Sequence, residues 1–273
     1  MKRTSRGISK AWMLVLLVSP LAGLAQSSTA PSHRGEFYFS WGYNTEAYTR
    51  SRVKINQPGL GNNYTFYNVK GNDHRGWDEG LFSKALSIPQ YNYRIGYFFN
   101  DKHDLGVEIN FDHTKFIFSD EQTVALKGTL GGRQVDTSLR SSQKAGFYYY
   151  LNNGANFLLF NIVKRWHWYT NPKNNIKLDL LGKAGIGPVI PHVENSFFGK
   201  ANDPHFQLGG WNTGAEGALR ATFYHYVYLE LCGKLDYARY SNLKIYEGTA
   251  KHAFGTAEAI LNLGITFPTG KKR

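Results

Sequence analysis

The chain has 273 residues, of which 42% are hydrophobic and only 19% charged, so it can bury a sizeable core and is not a disordered chain. Only one stretch, near the N-terminus, approaches the ~20 apolar residues that a membrane helix needs, which excludes a helical membrane bundle. The chain is basic, with a net charge of +12, and its many aromatic residues and glycines favour strands and tight turns over helices.

Residues 1–25 predict a secretory signal peptide. Four basic residues without an acid precede an apolar run that ends in Gly23-Leu24-Ala25, where small residues favour cleavage. The run is short and interrupted, which argues against a membrane anchor. We expect Sec-type export, a mature chain that starts at Gln26 with a net charge of +8, and a short periplasmic segment over 26–35. The single cysteine, Cys232, cannot form an internal disulfide.

After this segment, alternating polar and apolar residues predict eight long antiparallel strands. In the first of them Phe37 and Phe39 share one face, while Tyr38 and Ser40 share the other. Soluble proteins commonly have strands of about 5 or 6 residues, whereas a tilted strand of about 10 residues crosses the apolar band of an outer membrane. The predicted strands are 37–48, 88–99, 104–116, 154–168, 176–190, 208–224, 227–241 and 253–267.

The predicted connections alternate between short and long. Residues 100–103, 169–175 and the stretch around His225 and Tyr226 are tight, whereas long loops are expected at 49–87, 117–153, 191–205 and 242–252. A meander with an even number of strands, short turns at one end and long loops at the other is typical of bacterial outer-membrane barrels, whose short turns are periplasmic.

The end of the last strand carries the most specific resemblance. Asn262, Gly264, Ile265 and Phe267 resemble the terminal assembly signal of outer-membrane barrels, although a basic tail, 268–273, follows the aromatic residue. Over residues 36–267 the chain resembles small eight-stranded bacterial outer-membrane β-barrel proteins. The resemblance implies an all-β, up-and-down transmembrane barrel in the outer membrane and contact with the outer-membrane assembly machinery. A secreted β-sandwich or a lipocalin-like barrel is the alternative, since alternation does not say which face points outward.

If the apolar faces meet lipid, the polar faces converge in the lumen. An eight-stranded barrel is only wide enough for side chains to fill, and buried charges persist when they are paired. We therefore predict a plugged lumen, with a narrow channel as the alternative. Its charge network is predicted to comprise Arg94, Glu108, Asp112, Asp179, Lys183, Glu216, Arg220, Glu230, Lys234, Asp236 and Glu258.

The basic residues outside the strands fit either solvated loop charges with no partner or a partner with phosphate groups. Lipopolysaccharide in the outer membrane fits this charge better than nucleic acid does, and we predict no nucleic-acid partner. Aromatic residues in or beside the first long loop could stack on a ligand or extend the strands above the membrane. A surface ligand is therefore expected at loops 49–87 and 117–153. The basic residues are Arg50, Arg52, Lys54, Lys70, Arg75, Lys84, Lys127, Arg133, Arg140 and Lys144, and the aromatic ones are Tyr48, Tyr64, Phe66, Tyr67 and Trp77.

The sequence names no catalytic residue, cofactor site or metal site. Outer-membrane lipid A hydrolases and acyltransferases use a serine, a histidine and a carboxylate near the outer rim, but the local His-x-Ser pattern is absent here. Asp112 and His113 point to opposite faces of one strand. We predict a structural or surface-interaction role, and the alternatives are a lipopolysaccharide-modifying enzyme and a narrow channel.

Overall fold

The structure, a computed structural model, describes residues 35–74, 90–100, 102–118 and 121–269. The predicted signal peptide and cleavage site lie outside these residues. The described residues form eighteen strands and one 3₁₀ turn, Pro58–Leu60. These are β1 Gly35–Tyr48, β2 Ser51–Gln57, β3 Asn62–Val69, β4 Gly71–Asn72, β5 Tyr91–Phe98, β6 Leu105–Asp112, β7 Phe116–Phe118, β8 Thr123–Leu130, β9 Arg133–Arg140, β10 Tyr148–Leu151, β11 Phe157–Thr170, β12 Ile176–Pro188, β13 His192–Phe197, β14 Lys200–Ala201, β15 His205–Phe206, β16 Gly210–Phe223, β17 Val227–Ile245 and β18 Gly248–Thr269.

Eight of these strands form a closed antiparallel ring, which confirms the predicted fold class. The order is β1, β5, β6, β11, β12, β16, β17 and β18, and β18 pairs back onto β1 from Gly35↔Thr269 to Tyr48↔Thr256. We call the end with the short connections 99–104, 171–175 and 224–226 the turn end, and the opposite end the loop end. Among the described residues no helix is long and apolar enough to cross a membrane.

The connections at the loop end differ from the predicted irregular loops. Hairpins β2–β3 and β8–β9 extend the ring sheet beyond β18 in the order β18-β2-β3-β8-β9. A second sheet, in the order β14-β13-β10-β7-β4 with β15 beside β13, packs against this extension. We call this two-layer structure the loop-end unit. The connections over 49–87, 117–153 and 191–205 are long, as predicted, but much of their described parts is paired in strands.

The prediction of a long loop over 242–252 is wrong. Strands β17 and β18 continue through it and join at Tyr246 and Glu247. A register shift between Tyr240 and Leu243, with Asn242 at φ 55°, adds residues to one strand. Such a bulge interrupts the period-2 pattern without ending the strand, and the alternation resumes because Leu243 and Ile245 are buried again.

Two clusters of buried apolar side chains lie along the barrel. The smaller one includes Tyr38, Phe98 and Tyr228 and fills the lumen near the turn end. The larger one lies between the two sheets of the loop-end unit and continues into the mouth of the ring through Phe157 and Phe254. The charged part of the lumen lies between these two apolar regions.

Candidate functional site

The outward face of the ring is apolar and the inward face is polar. Along β17 the side chains of Leu229, Leu231 and Leu235 are 45%, 59% and 67% exposed, while Glu230 and Lys234 between them are buried. A soluble barrel would bury the apolar side instead, so the lipocalin-like alternative does not describe this ring. Aromatic side chains border the apolar belt at both ends: Phe37, Phe99, Trp166, Tyr226 and Phe267 at the turn end, and Tyr43, Tyr91, Trp211 and Tyr237 at the loop end.

Six of the predicted lumen residues form one connected set, which we call the balanced cluster: Arg94, Glu108, Lys183, Glu216, Arg220 and Glu230. Arg94 lies 2.7 Å from Glu216, which is carried by a strand on another side of the ring. Lys183 lies 3.0 Å from Glu108 and 2.9 Å from Glu230. Three bases therefore match three acids, and all six residues are buried.

Aromatic rings enclose the turn-end side of the balanced cluster. The Arg220 guanidinium lies 4.0 Å from the ring centre of Tyr228 and 4.5 Å from that of Tyr38, and it binds Glu230 at 2.7 Å. The Tyr38 hydroxyl also donates a hydrogen bond to Glu108 at 3.0 Å. The sequence did not indicate these aromatic contacts, although Tyr38 lies on the polar face of its strand.

Four other predicted residues form a second set nearer the loop end, which we call the acid-rich cluster: Asp112, Lys234, Asp236 and Glu258. Lys234 binds Asp112, lies 3.0 Å from Asp236 and 4.0 Å from Glu258. Glu46 stands directly opposite Glu258 in the β1–β18 register and accepts hydrogen bonds from Asn44 and Gln90. One ammonium group therefore serves three carboxylates, and a fourth stands beside them.

Asp179, the eleventh predicted residue, belongs to neither cluster. It binds His167 Nδ1 at 2.8 Å near the turn end, and His167 Nε2 lies 2.9 Å from the Thr170 hydroxyl. A hydroxyl, an imidazole and a carboxylate in sequence are the parts of a nucleophilic triad. This chain of contacts lies at the opposite rim from the one the enzyme alternative requires, whereas two cavities lined by residues such as Asp73 and His74 are at the loop end.

Three groups that are typical metal ligands lie close together at the balanced cluster. One ligand atom each from Glu216, Glu230 and Cys232 lie within 4.8 Å of one another. Both carboxylates already bind Arg94, Lys183 or Arg220, so positive charge occupies the positions next to them. This chemistry favours an internal ion-pair network over a metal centre.

The core of the loop-end unit is built mainly from aromatic side chains. Tyr64 and Phe66, which the sequence left open as ligand contacts or as part of a strand extension, are buried in this core. His252 lies on β18 beyond Tyr237 and Trp211, where its ring stacks on Tyr240 at 4.7 Å. Burial lowers the pKa of His252 to about 3, so its imidazole is neutral at physiological pH. Trp77 lies outside the described residues.

In the part of the chain that the structure describes, serine, histidine and carboxylate groups do not assemble into an accessible triad at the loop end. Ser51 Oγ lies 3.5 Å from His252 Nδ1, but both side chains are buried in the core of the loop-end unit. Asp112 and His113 diverge as expected, because Asp112 binds Lys234 and His113 lies 2.8 Å from Asn156.

The residues of the predicted assembly signal alternate between the two faces of β18. Asn262 is fully buried, and Gly264 lies beneath the Tyr228 ring, where an added Cβ would approach that ring to 2.1 Å. Ile265 and Phe267 are exposed on the apolar outward face of the ring. The glycine therefore has a packing role in the barrel whether or not it is also read as a signal.

Several of the predicted basic residues have internal partners. Lys127 pairs with Asp136 and Arg140 with Glu121, both on the exposed surface, where such pairs contribute little to stability. The Arg52 guanidinium lies over the Tyr67 ring at 5.4 Å, and Arg50 donates a hydrogen bond to the carbonyl of Asn68. Arg75 and Lys84 lie outside the described residues.

No protein-family model and no curated protein sequence matches the chain. Solved structures of small outer-membrane proteins are similar to the chain at low sequence identity. The attachment invasion locus protein Ail of Yersinia pestis, solved with the heparin analogue sucrose octasulfate, is 15% identical, with 86% of this chain and 99% of that chain covered and a TM-score of 0.33. Outer membrane protein OprG from Pseudomonas aeruginosa is 12% identical, with coverages of 87% and 98% and a TM-score of 0.38. Outer membrane protein AlkL, solved in lipid bilayers, is 10% identical, with coverages of 90% and 96% and a TM-score of 0.33.

Proposed function

We propose that the protein is an integral outer-membrane β-barrel that serves as a scaffold, with a sealed lumen, for a folded surface unit. The turn end then faces the periplasm and the loop end faces outward. The observation that carries this proposal is the combination of an exposed apolar belt around the ring and a two-layered unit with an aromatic core at one end.

The exposed belt supports the membrane location. Leu219, Leu231 and Leu261 lie side by side across three neighbouring strands and are all exposed. A continuous apolar surface of this kind would drive aggregation in water, whereas the bilayer core removes that cost. Closure of the ring also leaves no strand edge within the belt, as backbone in lipid requires.

The contents of the lumen support a scaffold rather than a channel. Aromatic side chains fill both ends of the described lumen, and the two charged clusters occupy the space between them. An open ion path needs a continuous hydrated passage. A passage through these side chains would require breaking paired, buried charges.

The loop-end unit supports a surface-interaction role. Its two sheets share an aromatic core, so it presents fixed surfaces to the exterior rather than irregular loops. Its partners in this proposal are outer-membrane lipid and lipopolysaccharide together with a surface ligand, and the assembly machinery would act during insertion.

Reconstitution of the full mature chain into planar bilayers and vesicles tests the proposal. We expect the protein to insert, to migrate on gels as a heat-sensitive folded band, and to give no stepwise ion current. Defined conductance steps would show that the protein is a channel and that its lumen is not sealed. Recovery of the folded chain in water without detergent or lipid would overturn the membrane assignment.

A further inference from the structure

Four basic side chains lie on the outward face of the loop-end unit, directly beyond the apolar belt. We call Arg52, Lys54, Arg239 and Lys251 the basic face. Arg239 follows Tyr237 by two residues on the same side of β17. The basic face therefore begins just beyond the aromatic residues at the loop end of the belt. None of the four forms an ion pair with a described residue, whereas the neighbouring Lys127 is paired with Asp136.

The register places two of these charges directly against each other. Lys251 on β18 is the cross-strand partner of Lys54 on β2, and both side chains point away from the core. Side chains in directly opposed positions are about 4.5–5.5 Å apart at Cβ, and like charges there are destabilising. Arg239 pairs with Ala253, whose carbonyl accepts a hydrogen bond from Ser51, the residue before Arg52, so the two arginines flank Ala253.

An anion between these side chains would reverse the repulsion. The carboxylate that the described strands supply on this face, Asp136, lies three strands away from Lys54, with β3 and β8 between them, and it already binds Lys127. Among the described residues, therefore, no carboxylate pairs with the basic face. Arginine and lysine side chains that converge from neighbouring strands form charge-assisted hydrogen bonds to phosphate oxygens.

The height of the basic face identifies the source of that phosphate. Lys251 lies six residues beyond Ala257, the last small apolar residue of the belt on β18, and strands rise about 3.3 Å per residue. With the strand tilt, the four side chains lie within roughly 20 Å of the end of the belt. That layer of the outer leaflet holds the phosphorylated head group of lipopolysaccharide. We propose that the basic face binds lipopolysaccharide phosphates, which rests on the proposed outer-membrane location and specifies one of its partners.

The test compares two forms of a rough lipopolysaccharide, one intact and one enzymatically dephosphorylated, in otherwise identical vesicles. The full mature chain is inserted into each, and binding is followed by lipid co-purification and by thermal stability. We expect binding of the intact form to exceed that of the dephosphorylated form and to weaken as salt screens the charges. Equal binding of the two forms by wild-type protein would overturn the proposal.

Variants assign the effect to the basic face. Lys54→Gln combined with Lys251→Gln should weaken binding of the intact form on the order of tenfold or more, the loss expected when charge-assisted hydrogen bonds are removed. The matched control, Lys102→Gln combined with Lys173→Gln, alters two exposed lysines in turn-end connections and should leave binding unchanged. Equal losses in the two double variants would refute the assignment.

A charge reversal separates lipid binding from folding. Lys54→Glu opposes a carboxylate to Lys251, so in detergent without lipopolysaccharide it should stabilise the folded protein slightly while it removes the phosphate preference. The heat-sensitive gel band reports insertion independently of lipid selection. A variant that inserts but has lost its preference supports the proposal, whereas an inserted Lys54→Glu protein that retains full preference contradicts it. Failure of wild-type protein to insert would instead count against the proposed membrane function.

Discussion

Two glutamates of the lumen are chemically alike but differ in the charge that surrounds them. Glu230 in the balanced cluster binds Arg220 at 2.7 Å and Lys183 at 2.9 Å, and it is one of the three carboxylates that neutralise the three bases of the cluster. Glu258 in the acid-rich cluster shares Lys234 with two aspartates and stands opposite Glu46. Removing a negative charge from the balanced cluster leaves too little negative charge for its bases. Removing one from the acid-rich cluster reduces an excess of negative charge.

Glu230→Gln and Glu258→Gln should therefore change stability in different directions. Glu230→Gln leaves buried positive charge uncompensated and should lower the unfolding free energy by about 3–5 kcal/mol. Glu258→Gln should be neutral or stabilising, because Lys234 keeps Asp112 and Asp236 as partners. Equilibrium denaturant titrations in lipid vesicles measure both. Equal destabilisation by the two substitutions would show that the acid-rich cluster is not in excess of negative charge.

Leu231 tests which side of the wall meets lipid. It is 59% exposed and lies near the middle of the belt segment of β17, between Tyr226 and Tyr237. Leu231→Arg should cost about 2–4 kcal/mol of folding stability in vesicles, as expected for arginine at the midplane. Leu231→Phe, which stays apolar, is the control and should fold normally. Wild-type stability for the arginine variant would mean that this surface faces water.

At the level of the strands, β17 and β18 combine two environments. Their turn-end halves carry the apolar belt, and their loop-end halves form one wall of the loop-end unit, where His252 is enclosed by Tyr149, Tyr240 and Phe254. Charging this imidazole inside an aromatic core would remove its solvation without a compensating anion. The loop-end unit should therefore be more acid-sensitive than the ring.

The expected pH dependence follows from the direction of the shift. The folded-state pKa of His252 is about 3, below the ordinary value of 6.5, so the unfolded unit takes up the proton first. Stability of the loop-end unit is full above pH 6.5 and decreases as the pH falls toward 3. Hydrogen exchange of the β8 and β10 amides at pH 7 and pH 4.5 measures this. His252→Gln should reduce the dependence, and the contribution of His113, whose pKa burial lowers to about 4, should remain. An unchanged dependence would exclude His252 as its source.

The sequence predicted the strands of the ring more completely than those of the loop-end unit, for a physical reason. Ring strands have at least eight residues, and one face is apolar while the other carries polar side chains, so the contrast between faces repeats several times along each strand. Strands such as β7, Phe116–Phe118, and β10, Tyr148–Leu151, are short. Their alternation of polar and apolar residues is too brief to be recognised in the sequence. The alternation also indicated which charges face inward but not how they pair. Arg94 and Glu216 meet across the lumen from strands that are not neighbours, which depends on the tilt and stagger of the closed ring.

For the whole molecule, the membrane topology can be tested by chemical labelling. The native Cys232 is buried, so a single introduced cysteine reports its own location. We expect Ser138→Cys, on the exposed strand β9, to react with a membrane-impermeant maleimide in intact cells. Lys173→Cys, in a turn-end connection, should react only after the outer membrane is permeabilised. The reverse labelling pattern would show that the barrel has the opposite orientation. Reaction of both cysteines in intact cells would contradict the membrane location.

The seam between β1 and β18 has a consequence for how the molecule could be rewired. Gly35 pairs directly with Thr269, so the ends of the ring's first and last strands are neighbours. A short linker between those ends would convert the seam into an ordinary hairpin, and the turn at 171–175 could then be opened to give new termini at the same end of the barrel. Such a circular permutant would retain every strand pairing of the ring and the loop-end unit. It would also move the resemblance to a terminal assembly signal into the interior of the chain, which separates the role of β18 in closing the barrel from its role as the last strand to be synthesised.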